Sequence, residues 1–125
     1  MSDKIKVLMV DDEKQFRTTT EKILHRKGFD TIMAASGEEA LSLLNKSGPF
    51  DLMVLDLKMP GMDGKQVLEI LKKEQKYIEV IILTGHGTEK DRQACMAAGA
   101  HAFMNKPLDI DGLLAIMDRL EEPTP

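Results

Sequence analysis

Val54-Leu55-Asp56-Leu57-Lys58-Met59-Pro60-Gly61 runs from apolar residues into an aspartate and then breaks at a proline and a glycine before any helix can follow. A short apolar run bounded in this way reads as a strand buried on both faces. The acid that follows it stands at the lip of the sheet, within reach of a substrate and partly shielded from water. Asp56 is therefore a candidate phosphate acceptor, and the flanking segments decide what kind of sheet carries it.

The same pattern recurs along the chain. Ile5 to Val10 is nearly all apolar and ends on Asp11-Asp12-Glu13. Residues 13–27 carry Phe16, Thr20, Ile23, Leu24 and Lys27 at helical spacing and stop at Gly28, a good left-handed terminator. Residues 31–34 form a second strand, after which Ser36, three residues before Glu39, predicts a capping box for a helix with Ala40, Leu41 and Leu44 inward. Gly48-Pro49 ends that helix. A third strand over 51–55 leads through the loop 56–64 to a helix expected to bury Val67, Leu68, Ile70 and Leu71. Residues 78–83 make a fourth strand ending on Thr84, and Gly85-His86-Gly87 reads as a flexible turn into a helix capped by Thr88. The inward residues of that helix, Ala94, Cys95 and Ala98, are small, so it is expected to be the least firmly held. Gly99 closes it, and Ala102-Phe103-Met104 is the last strand before Lys106-Pro107. A final helix places Ile110, Leu113, Leu114 and Met117 on one stripe, and residues 121–125 read as frayed.

Five apolar strands alternating with five helices imply an α/β fold with a doubly wound parallel sheet. The expected organisation is one domain over residues 1–125, with a core from about 4 to 121 and a tail or the start of a linker at 122–125. A chain of 125 residues with 42% hydrophobic content can bury roughly two thirds of its unfolded surface without disulfides. The single Cys95 cannot pair within the chain, and Met1-Ser2-Asp3-Lys4 does not open an export signal, so the expected location is cytoplasmic. Asn45-Lys46-Ser47, a glycosylation pattern, is idle without such a signal. No apolar run approaches the roughly 18 residues that span a bilayer. The net charge of -4 gives no general pull toward nucleic acid. His25, His86 and His101 lack metal-ligand spacing, and the nine methionines fall mostly at core positions or beside Asp56. Gly85-His86-Gly87 lacks the third glycine of a dinucleotide loop, which disfavours nucleotide binding.

In sheets of this kind the ligand lies beyond the carboxyl ends of the strands, where strand order reverses. The polar residues at those ends are Asp11 and Asp12, Asp56, Thr84 and Lys106. Taken singly, the acids read as helix caps or turn formers, Thr84 as a strand end and Lys106-Pro107 as a turn. Those plain readings do not require the residues to share one edge, and here they do. Converging carboxylates without His or Cys partners suit Mg²⁺, with Mn²⁺ as a substitute. An ionised aspartate can attack phosphorus once a cation and Lys106 offset the charge of the incoming group. The Thr84 hydroxyl and main-chain N–H groups near Gly85 can donate to phosphoryl oxygens. Lys106-Pro107 is a candidate cis peptide.

With these residues in view, the chain resembles the response-regulator receiver domain of two-component signalling over essentially its whole length. The resemblance is carried by Asp11-Asp12, by Asp56 through Gly64, by Thr84-Gly85 and by Phe103-Met104-Asn105-Lys106-Pro107. It implies a CheY-like fold with strand order 2-1-3-4-5 and a phosphoryl group passed to Asp56 from a histidine kinase or phosphotransfer protein. It also implies Mg²⁺ held by Asp12, Asp56 and the Lys58 main-chain carbonyl with Asp11 assisting, and Thr84 and Lys106 on the phosphate, with Lys58 placing a second cation nearby. Phe103 holds the switch-aromatic position. The fourth helix, fifth strand and fifth helix become the face for a protein partner or effector domain, in a monomer or weak dimer, with no direct nucleic-acid or membrane contact. By that resemblance the domain is expected to act as a switch and to catalyse only its own phosphotransfer and autodephosphorylation. A phosphohydrolase with an aspartyl intermediate is disfavoured by the adjacency of Asp11 and Asp12, and a flavodoxin-like cofactor carrier by one tyrosine and no tryptophan.

Overall fold

A computed structural model describes residues 5–121; the expected tail at 122–125 lies outside them. The elements follow in the order β1 (Lys6–Val10), α1 (Lys14–Arg26), β2 (Asp30–Ala34), α2 (Gly37–Lys46), β3 (Leu52–Leu55), α3 (Gly64–Lys73), β4 (Glu79–Thr84), α4 (Glu89–Ala97), β5 (Ala102–Asn105) and α5 (Ile110–Glu121). The strands form one parallel sheet in the order β2-β1-β3-β4-β5. Alternation along each strand feeds two cores. Leu8, Val10, Met53, Leu55 and Ile82 pack with Ala40, Val67, Leu68, Leu71 and Cys95 of α2, α3 and α4. Val7, Met9, Val54, Ile81 and Leu83 face Leu24 of α1 and Leu113 and Met117 of α5. Both faces of β1, β3 and β4 are thus dry, which is why those strands read as unbroken apolar runs.

Some local features depart from the pattern read in the sequence. Glu13 is the N-cap of α1, without a side-chain cap bond, and not its first residue. Ser36 caps α2 through Glu39 N–H at 3.1 Å, but the Glu39 carboxylate accepts from Ala35 N–H, so the reciprocal arm of the expected box lands one residue early. Full capping boxes form instead at Asp63 and Gln66 on α3 and at Thr88 and Asp91 on α4. Ile70 is half-exposed, in a groove between α2 and α3 that Glu38, Met62 and Lys73 also line. Glu121, expected to fray, closes α5. Only Cys95 of α4 is buried, in line with its small inner face. His25, His86 and His101 are exposed, and among the described residues no helix is long and apolar enough to cross a membrane.

Gly64 ties α3 to the loop that follows β3. Its N–H donates to the Leu57 carbonyl at 2.9 Å, and a Cβ placed on it would stand 2.6 Å from the Asp56 carbonyl oxygen and 2.9 Å from Leu57 Cα. Backbone on both sides leaves no room to yield. Gly64→Ala is expected to cost about 1–3 kcal/mol, read as a lower urea midpoint at unchanged slope.

Candidate functional site

The parallel register positions the acids. Asp11 continues β1 by one residue, its N–H bonded to the Ala34 carbonyl of β2 at 3.1 Å, and Asp56 continues β3, its N–H bonded to the Val10 carbonyl at 2.9 Å. β1 and β3 are neighbours at the reversal of strand order, so the two acids stand side by side. Oxygens of Asp11, Asp12 and Asp56 come within 4.8 Å of one another. Asp11 and Asp56 are buried, at 1% and 5% exposure, while Asp12 is open to solvent.

Lys106 enters from beyond β5, its N–H held by the Thr84 carbonyl at 2.8 Å. Its ammonium lies 2.8 Å from Asp11 Oδ2, 2.9 Å from Glu13 Oε1 and 3.7 Å from Asp56 Oδ2, with the Phe16 ring face 4.1 Å away. Burial works against its charge, but hydrogen bonds to Asp11 and Glu13 and the field of Asp56 leave its pKa raised. The Lys106–Pro107 peptide is cis, as is Gly48–Pro49.

Burial and then the charge of Asp11 push the Asp56 pKa up, against the opposing pull of Lys106, the Thr84 hydroxyl and the Lys58 N–H. That N–H donates to Asp56 Oδ1 at 3.3 Å. The Lys58 ammonium reaches the other way, to Asp91 Oδ2 on α4 at 3.7 Å, so the second cation expected beside Asp56 rests on the cap of that helix. Thr84 is fully buried at the end of β4. Gly85 is exposed, and a Cβ on it would only touch the Lys106 stem at 3.8 Å. Gly87, read as a source of flexibility, is instead required for space: a Cβ there would fall 2.5 Å from the Phe103 ring and 2.9 Å from the Thr84 methyl. Phe103, half-buried against the α2–α3–α4 core, is thereby packed beside Thr84.

Sequence reasoning missed Glu13, Phe16 and Arg17 as parts of the site. Arg17 Nη1 donates to the Asp11 carbonyl at 2.6 Å, and Glu13 meets a lysine 93 positions away. The available signal was topological, since the N-terminus of α1 must lie at the strand edge where Lys106 emerges.

Three carboxylates with no soft ligand fit a hard divalent cation. Fold and site together define a doubly wound α/β domain that carries an acidic cation pocket, a buried threonine and a lysine around one aspartate. The model of the response regulator receiver domain matches residues 7–118. Among curated proteins the chain is 39% identical over 106 residues to sporulation initiation phosphotransferase F of Bacillus subtilis, covering 85% of each. It is 38% identical over 120 residues to the transcriptional regulatory protein GlrR of Escherichia coli, covering 95% of this chain and 27% of that one. Among solved structures, FixJ-N superposes with a TM-score of 0.86 at 31% identity, over 100% of this chain and 99% of the other. The CheX–CheY–BeF3–Mg²⁺ complex of Borrelia burgdorferi gives 0.86 at 32%, over 95% and 90%. The chain belongs to the response regulator receiver domain family, the phosphorylation-activated switches of two-component systems. It spans about a quarter of the length of relatives such as GlrR and most of the length of phosphotransferase F.

Because the native Asp56 carboxyl holds its proton more tightly than an unfolded one, the native state keeps more proton than the unfolded state at pH values above about 4. Stability therefore falls through that range, and ionised Asp56 is a net cost at neutral pH. Asp56→Asn is expected to raise Tm at pH 7 by roughly 2–5 °C, with the gain shrinking toward pH 4. An equal gain at both pH values in thermal melts would count against the electrostatic origin.

Proposed function

We propose that this domain takes a phosphoryl group from the phosphohistidine of a histidine kinase or phosphotransfer protein onto Asp56, and that the modified domain controls a protein partner or effector domain. The observation that carries the reading is the convergence of Asp11, Asp12 and Asp56 with Lys106 at the reversal of strand order. An Asp56 oxygen attacks phosphorus; the P–O bond forms as the P–N bond breaks, and the electron pair leaves with the imidazole nitrogen, which takes a proton from water. Mg²⁺, or Mn²⁺ in its place, supplies charge neutralisation at the transferring group when bound. Asp11, Asp12, Asp56 and the Lys58 carbonyl are the residues to hold it. Lys106 and the Thr84 hydroxyl meet phosphoryl oxygens, joined by the Gly85 N–H and by Lys58 once it leaves Asp91. Water later attacks phosphorus, releases inorganic phosphate and restores the carboxylate, so the domain catalyses only its own modification and its reversal. Its place is the cytoplasm, as a monomer or a weak dimer, with residues 1–125 as one receiver unit.

Phosphorylation adds close to two negative charges and three acceptors beside Thr84. Drawing Thr84 toward them vacates space at its methyl, which borders the Gly87 position together with the Phe103 ring. A shift from 1:99 to 99:1 requires about 5.5 kcal/mol of differential interaction, within reach of several charge-assisted bonds. α4, with one buried residue, is the element that yields, and the α4–β5–α5 face carries the signal.

Incubation with acetyl phosphate and Mg²⁺ is expected to add one phosphate by mass spectrometry in the wild type and none in Asp56→Ala; modification of the variant would remove the assignment. On binding beryllofluoride, amide exchange in α4, β5 and α5 is expected to change more than in α1 and α2. Unchanged exchange there would place the output face elsewhere.

A further inference from the structure

Lys106 has two carboxylate partners at hydrogen-bond distance, and neither is Asp56. Asp11 cannot easily let go, because it is buried, and its Oδ1 also accepts from Glu13 N–H at 2.8 Å. Glu13 can. Its side chain is 65% exposed, against 14% for Lys106, so rotating it away returns a carboxylate to water without burying an unpaired charge. Across the ammonium, the Phe16 ring offers a face and no competing acceptor. Asp11 and Glu13 thus take two of the ammonium's three N–H donors, and it stands 3.7 Å from Asp56.

We propose that Glu13 is a placeholder for the phosphoryl group, holding Lys106 away from Asp56 in the unmodified domain and giving it up when an anion arrives on Asp56. The inference rests on Asp56 being the acceptor and adds a positioning residue to that reaction. It sets a resting bias: an anion on Asp56 must displace Glu13 before Lys106 can serve it.

The test is calorimetric titration of the whole domain with beryllofluoride in saturating Mg²⁺. Glu13→Gln is expected to bind about two- to five-fold more tightly than wild type, the range for loss of one exposed ion pair. Glu13→Asp keeps the charge but is one methylene too short to reach Lys106, so it is expected to shift in the same direction. In a Lys106→Ala background the Glu13→Gln difference is expected to vanish. Equal or weaker binding by Glu13→Gln would overturn the placeholder, as would a Glu13→Asp variant matching wild type, which would reduce Glu13 to background charge. Thermal melts confirm that each variant is folded. No beryllofluoride binding by wild type would instead overturn the acceptor assignment, and the placeholder with it.

Discussion

Two buried carboxylates held side by side are the constraint on which the rest of this structure depends. Asp11 and Asp56 are placed by main-chain bonds to the strands beside them, so neither can retreat without unpairing the sheet. Loss of water and the charge of Asp11 beside it both raise the cost of ionising Asp56. The domain answers with one permanent cation: Lys106 is drawn over the pair from the far edge of the sheet and steadied by Glu13 and the Phe16 ring. One lysine among four carboxylates, Asp11, Asp12, Asp56 and Glu13, leaves a deficit that a divalent ion can fill.

The surrounding architecture spends stability to keep that deficit in place. β1, β3 and β4 are buried on both faces, which supplies the rigid platform. Gly64 and Gly87 remove side chains where the loop after β3 meets α3 and where Phe103 and Thr84 crowd one position. Neither glycine has the positive φ found at Gly28, Gly61 and Gly99; each is demanded by closeness. A rigid edge of this kind can transmit a small displacement, because packed groups on either side of Thr84 and Phe103 cannot absorb it gradually.

α4 has a small inner face. It buries one side chain, and its first turn depends on the reciprocal bonds of Thr88 and Asp91. Lys58, from the loop after β3, pairs with Asp91, so the loop and the helix cap share a charge. An exposed pair of this type contributes little to stability, yet it joins the loop after β3 to the cap of α4.

The strand and helix sequence, the two-faced burial of the central strands and the edge at which the polar residues gather were legible in the chain, because each depends on periodicity and on local terminators such as Gly28, Gly48-Pro49 and Gly99. Asp11, Asp12, Asp56, Thr84 and Lys106 were legible as a set for the same reason: each follows an apolar run. The partners of Lys106 were not. Glu13 looked like the start of a helix and Phe16 like part of its buried stripe, and only tertiary structure brings Lys106, 93 positions from Glu13, onto both. The need for Gly87 was hidden likewise, since nothing local says that the Phe103 ring will fill its Cβ position. Local pattern determined which groups stand at the edge. Side-chain reach across the folded edge decided how they pair, because that depends on distances between segments the sequence keeps far apart.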